Sequence, residues 1–205
     1  MKTINQILNI DVPIILASRS PRRQKLLSMV GLEFTTKFSD IDEDIDTDIP
    51  PEAYCIHLAW SKADDIAGGI STPALVIGAD TIVVIDGMIL NKPTDPEDAY
   101  RILKILSGNT HKVYTGLSIV ESVSQNWITD FQTTEVTFRE LSDEEIWLYI
   151  EGGSPMDKAG AYGIQDDFGA LFVSHINGCY YNIVGLPVQL LYMMLKRFRG
   201  ENAQS

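Results

Sequence analysis

The residues from Ala74 to Ile85 (ALVIGADTIVVI) place the tightest limit on what this chain can fold into. A run so apolar, and so rich in Val and Ile, reads as a buried strand. The polar pair Asp80-Thr81 interrupts it, and Asp86-Gly87 behind it suits a hairpin turn. Val12 to Ala17 is a second continuous apolar run of strand length. It ends at Ser18-Arg19-Ser20-Pro21, and Gln24 to Val30 then reads as a helix. Ser20 suits its N-cap, Pro21 its first position and Gly31 its C-terminal end.

The remaining segments alternate in the same way. Glu33 to Ser39 is expected as a strand, followed by an acidic loop from Asp40 to Asp48. Pro51 to Ala67 has helical spacing in Tyr54, Leu58, Ala59 and Ala63, with Gly68-Gly69 as its stop. Asp95 to Leu106 forms a further helix, closed by Ser107-Gly108. Two longer strands follow, His111 to Glu121 and Trp127 to Glu140. Ser142 caps a short helix whose first turn carries Asp143, Glu144 and Glu145. Asp157 to Asp167 is a glycine-rich loop, Phe168 to His175 a strand, and Pro187 to Phe198 a closing helix. The alternation predicts an α/β fold with a mixed sheet. A chain of 205 residues suffices for one large domain or two lobes around a cleft.

Composition narrows the function classes. With 45% hydrophobic and 21% charged residues, the chain reads as an ordinary soluble globular protein. No window approaches the roughly 18 apolar residues of a membrane span. The N-terminal MKTINQILNIDVP lacks the apolar core of a secretion signal, so a cytoplasmic location is expected. The net charge of −12 argues against stable nucleic-acid binding, though a few focused cations could still hold a small anion. Cys55 and Cys179 lie far apart and read as reduced structural thiols. The scattered His57, His111 and His175 read as packed or solvated rather than catalytic.

Four constellations can carry chemistry. In Ser18-Arg19-Ser20-Pro21-Arg22-Arg23, two hydroxyls, several guanidiniums and the free N–H groups of a helix start converge, which suits a phosphate. A solvent-facing cap with incidental arginines is the blander account. The turn lacks the lysine-bearing glycine loop of a P-loop, which disfavours a kinase-like or ATPase-like reading. Asp80, flanked by Val76, Ile77, Ile82 and Val83, needs pairing, hydrogen bonding or a metal to offset its desolvation. Lys62, Lys92 and Lys158, and the carboxylates of Asp40 to Asp48, are by default solvated charges; in company they could meet an anion or supply oxygen ligands to Mg²⁺. The loop Asp157 to Gln165 allows close backbone approach, and the Gln165 amide can read a uracil or thymine edge.

Together these residues resemble the Maf family, which is related in fold to the inosine triphosphate pyrophosphatases. The resemblance runs from ILASRSPRRQKLL (Ile15 to Leu27) to NIVGLPV (Asn182 to Val188), with LAWSKA, GADTIV, LNKP, LSGNTHKVYTG and DKAGAYGIQ between them. It implies one Maf-like domain over residues 1–205, with residues 1–11 as a disordered extension, and a mixed twisted sheet with flanking helices forming two lobes around a deep cleft. It implies hydrolysis of a nucleoside triphosphate to the monophosphate and pyrophosphate with a divalent cation, Mg²⁺ or Mn²⁺. Asp80 falls at the family's proton acceptor and metal ligand, with Glu43 as a second ligand, for which Asp42 could substitute. Ser18, Ser20, Arg22 and Arg23 match the phosphate-gripping segment, and Lys62, Lys92 and Lys158 match positions facing the phosphates. Arg22, Thr81 and Gln165 look like the set of the dTTP and UTP pyrophosphatases.

Two positions depart from the family pattern: Asn91 precedes Lys92-Pro93, and Trp60 stands two before Lys62 where polar residues are common. A pyrophosphatase for another modified or purine nucleotide, and a nucleotide-binding regulator of cell division with little turnover, stay open as alternatives. The resemblance also points to a homodimer, to which Leu190, Leu191, Met193 and Met194 could contribute. A buried helix face accounts for the same residues equally well.

Overall fold

The computed structural model describes residues 3–41, 49–165 and 167–202. Among the described residues, seven strands form one mixed sheet in the order β2-β1-β3-β5-β6-β7, with β4 paired to β3 off that path. They are β1 (Ile14–Ala17), β2 (Thr35–Lys37), β3 (Leu75–Ile85), β4 (Met88–Leu90), β5 (Thr110–Glu121), β6 (Trp127–Phe138) and β7 (Val173–Asn177). The helices are α1 (Ile4–Ile7), α2 (Pro21–Met29), α3 (Pro51–Gly68), α4 (Pro96–Leu106), α5 (Asp143–Glu151), α6 (Tyr180–Val184) and α7 (Val188–Asn202). β1 runs parallel to both β2 and β3, whereas β3/β4 and β6/β7 are antiparallel, so the sheet is mixed as expected.

The chain divides into two compact units. The first comprises residues 1–80, 115–132 and 185–205, the second residues 81–114 and 133–184. In the first, α3 buries Ala59, Ala63 and Ala67, three small side chains on one stripe. Ala63 and Ala67 pack with Ile15, Ala17, Val76 and Val120, flanked by Trp60, Ile66 and Ile70. Trp60, the departure in LAWSKA, is thus part of the packing of α3. In α7, Leu191, Met194, Leu195 and Phe198 are buried at helical spacing while Met193 is exposed. A buried face therefore explains Leu191 and Met194. The N-terminal residues form α1 with a Thr3/Gln6 capping box, and Leu8 and Ile10 behind it are buried.

The second unit is built around aromatic rings. Phe138, Tyr162 and Phe172 meet edge-on or tilted, with Tyr149 against Phe172 at 5.1 Å. α4 adds Ala99, Ile102, Leu103 and Leu106 from one face, started by Asp95, whose carboxylate accepts the Asp98 N–H at 2.7 Å. Thr134 is the polar centre. Its hydroxyl oxygen accepts from the Cys179 N–H and the Asn182 amide, and donates to the Cys179 carbonyl. Asn182 also donates to the Val113 carbonyl at 2.9 Å, which fixes the start of the NIVG segment.

The expected strand from Phe168 to His175 is corrected. Asp167–Leu171 is a 3₁₀ turn, and the strand begins only at Val173. At Gly169 an added Cβ would lie 2.5 Å from the Gly163 carbonyl oxygen, so the chain coils to seat a bare backbone there. The second strand is also shorter than expected, Thr35–Lys37, with exposed and half-buried side chains.

His111, on β5, is 1% exposed, while His57 and His175 are exposed. Burial pushes the His111 imidazole from 6.5 down to about 4. The unfolded chain takes up that proton below its ordinary value, whereas the folded chain does so only near the depressed one. Stability should therefore be full above about pH 6.5, fall by roughly 3 kcal/mol as pH drops towards 4, and level off below. Urea unfolding at pH 7, 5.5 and 4.5 checks this. H111Q should show a flatter acid limb, and identical limbs would remove His111 as the source.

Candidate active site

Parallel strands bring two of the four constellations together within the first unit. β1 pairs with β3 in the register Ile14↔Leu75, Ile15↔Val76 and Leu16↔Ile77. The basic turn leaves β1 directly after Ala17, and Asp80 follows shortly beyond Ile77 on β3. The turn stands at the carboxyl end of β1, where open α/β sheets place their ligand sites, and Asp80 lies mid-way along β3, three residues beyond the last pairing with β1.

The turn is internally braced. Ser20 caps α2, its hydroxyl oxygen accepting the Arg23 N–H at 3.5 Å, and Pro21 occupies the first turn. The buried Ser18 hydroxyl oxygen accepts the Ser20 N–H and an Arg23 guanidinium N–H, each at 3.2 Å. Two accepted bonds occupy its lone pairs and orient the hydroxyl proton to donate elsewhere, as an anion requires. Arg23 also donates from Nε to the Gly185 carbonyl at 2.9 Å, tying the turn to the chain just before α7. Arg22 is half-buried on the same first turn. Arg19 points to Asp40 instead and lies over the Phe38 ring at 5.6 Å.

Asp80 meets Lys62 of α3, with Nζ 2.6 Å from Oδ1. The side chains are only 11% and 12% exposed, so the pair is nearly removed from water. Breaking such a pair by deleting one partner is costly, because the survivor is left as a buried charge. What permits the pairing is glycine. A Cβ on Gly78 would stand 1.9 Å from the Ala59 carbonyl oxygen, and one on Gly116 would stand 2.2 Å from that of Cys55. The backbone of α3 therefore rests on two bare strand positions, close enough for Lys62 to reach Asp80. Burial, then the Asp80 charge, push the Cys55 thiol up to about 12. That makes Cys55 a packing residue without nucleophilic character.

The second unit carries the other candidates. Thr81 and Gln165 are half-buried and Lys92 is exposed. Lys158 is buried and closes a ring on its own turn, donating to the Ser154 carbonyl and to Asp157 Oδ1 at 2.8 Å. Gln165 Nε2 is buried and has no hydrogen-bond partner among the described residues. A carbonyl oxygen brought by a ligand would satisfy it. Glu43 and its substitute Asp42 lie outside the described residues. Among the described residues no three His, Cys, Asp or Glu side chains form a metal-binding group.

The family model described as Maf-like protein matches residues 13–198. The chain belongs to the Maf family. Its Maf relatives include a protein named dTTP/UTP pyrophosphatase from Alkaliphilus oremlandii, 48% identical over 89% of this chain and 94% of that one. Proteins of the same name from Clostridium perfringens strain 13 and Caldicellulosiruptor saccharolyticus are 46% and 44% identical, each over 90% of this chain and 96% and 94% of theirs. Among solved structures, a HAM1 protein from Coxiella burnetii overlaps 62% of this Maf chain and 73% of its own, at 18% identity and a TM-score of 0.42. That overlap is too slight to add to the assignment.

Sequence reasoning missed several residues that set this site. Gly78 and Gly116 as seats for α3, Thr134 as a polar hub, and Tyr149 and Tyr162 as anchors were not singled out. A lone glycine inside an apolar strand was the available signal for the first two. The others depend on contacts between segments distant in sequence.

Proposed function

We propose that this Maf protein hydrolyses dTTP and UTP between the α- and β-phosphates, releasing the monophosphate and pyrophosphate, with a divalent cation. The observation that carries the reading is the shielded Lys62–Asp80 pair beside the braced basic turn, on a chain whose relatives bear the name dTTP/UTP pyrophosphatase. The described donors fit a hard cation. Asp80 offers carboxylate oxygen without His or Cys nearby as a cluster, and Mg²⁺ typically needs one or two carboxylates plus phosphate oxygens. Asp80, with Glu43, would hold it, and when bound it would neutralise phosphate charge and lower the cost of forming hydroxide.

The chain's own residues supply the rest. The Ser18 hydroxyl, the Ser20 cap and the first turn of α2 receive phosphate oxygens, with Arg22 beside them. Arg23 acts through Ser18, since its guanidinium spans that hydroxyl and the Gly185 carbonyl. Asp80 takes the proton of the attacking water, directly or through a second water. Lys62 and Lys92 stabilise charge on the leaving pyrophosphate. Gln165, its amide nitrogen buried without a described partner, meets a pyrimidine carbonyl. A cytoplasmic setting suits nucleotide substrates and the two free cysteines. Among the described residues no helix is long and apolar enough to cross a membrane.

Turnover of dTTP, UTP, CTP, 7-methyl-GTP and ITP, with products identified, tests the proposal. The expected result is pyrophosphate and monophosphate from dTTP and UTP with Mg²⁺, and none with EDTA. Release of orthophosphate, or preference for a purine, would overturn it. Binding without turnover would favour a regulatory role instead.

A further inference from the structure

We propose that the His111–Tyr162 hydrogen bond positions the Gln165 amide and so governs which nucleobase is accepted; this rests on the reading above, in which Gln165 meets the base. The starting point is a cost. His111 is packed edge-on against Phe138 at 5.0 Å, and its Nδ1 is buried with no hydrogen-bond partner among the described residues. An unsatisfied buried polar atom costs about 1–3 kcal/mol, which an apolar side chain at this place would avoid. The bond His111 does make joins Nε2 and the Tyr162 hydroxyl, 2.8 Å apart and buried.

Tyr162 sits in the middle of the run from Lys158 to Gln165, and that run needs holding. Gly160 has φ +70° and Ala161 φ +57°, the second a left-handed conformation that disfavours a residue with a Cβ by about 1–2 kcal/mol. Gly160 is also pressed on Val83, whose side chain would lie 2.8 Å from an added Cβ. Three ties fix the path. The Gly160 N–H donates to the Asn91 carbonyl at 3.3 Å, next to Lys92. The Gly163 N–H donates to the buried Tyr149 hydroxyl at 3.2 Å. The Tyr162 hydroxyl is held by His111, with its ring edge-on to Phe138 at 4.8 Å. Of the three, this tie joins two side chains sealed in the aromatic core, and it lies three residues from Gln165 in the chain. A freed Tyr162 ring lets the strained segment relax, and the Gln165 amide moves with it.

His111 and Tyr162 are therefore positioning residues, and removing their bond should alter selectivity more than rate. In Y162F and H111L, the ratio of kcat/KM for UTP to that for CTP should fall about tenfold, since a displacement of order 1 Å can cost that much or more. The kcat for UTP should stay within about threefold. Combining the two changes should do no further harm, because both remove one bond. H111Q, whose amide can reach the place of Nε2, should keep the ratio near that of the wild type. Hydrogen exchange at Gly163 should quicken in Y162F and H111L and not in H111Q. An unchanged UTP/CTP ratio in Y162F and H111L overturns the proposal, whatever happens to melting temperature or exchange. A wild-type protein that turns over every nucleobase equally sinks the functional reading first, and the proposal with it, before any variant is compared.

Discussion

Replacing Asp80 by Asn should lower kcat at least about a hundredfold, the low end of what a positioned base contributes. The change keeps the side-chain volume and removes the basic oxygen. Because the Lys62 ammonium lies 2.6 Å from Oδ1, the substitution also leaves a shielded cation facing an amide. Some loss of stability is therefore expected alongside the loss of turnover, and the melting temperature must be followed with the rate. K62M separates the two effects, since it breaks the same pair but leaves the carboxylate. D80N should be the slower of the two at saturating UTP. Raising the Mg²⁺ or Mn²⁺ concentration tells base from ligand: partial recovery of D80N makes Asp80 chiefly a metal ligand, and no recovery makes it the base. Turnover within tenfold of the wild type would reject both roles.

The second large effect is expected from a residue with no side chain. In G78A the new methyl would start 1.9 Å from the Ala59 carbonyl oxygen, a backbone atom that no rotamer change can move. Either β3 or α3 must yield by more than an ångström. Overpacking of this kind costs about 1–3 kcal/mol and occasionally more, equivalent to a fall of roughly 3–10 °C in melting temperature for a chain of this size. The helix that moves is the one carrying Lys62, so kcat should drop by about tenfold to a hundredfold as the ion pair opens. G68A provides the control. Gly68 ends the same helix and has nothing within 4 Å of an added Cβ. Alanine there should be neutral or stabilise by about 0.5–1 kcal/mol, with turnover intact. Wild-type melting and turnover in G78A would mean that the close seat of α3 has no bearing on the site.

The chemistry of Asp80 was visible in the sequence because a carboxylate inside ALVIGADTIVVI has no inexpensive explanation, and the structure supplies the answer in Lys62. The elements were legible wherever local rules act alone. Ser20 and Pro21 start α2, Asp95 starts α4, and the Ser142/Glu145 capping box starts α5, each by bonds spanning a few residues. Asp167–Leu171 escaped, because an apolar stretch coils there to bring Gly169 against Gly163, which no local pattern announces. Family membership was legible for a different reason, since many short motifs in one order are specific even when each is weak.

Tertiary structure alone decided which charged groups face each other. It gave Lys62 to Asp80, turned Lys158 back on Ser154 and Asp157, and made Arg23 a brace for Ser18. It also set His111 against Tyr162 across 51 positions of chain. Sequence spacing determines the face of a helix or strand on which a side chain stands. Its partner depends on how closely two backbones approach, and here that distance is set by the missing side chains of Gly78 and Gly116.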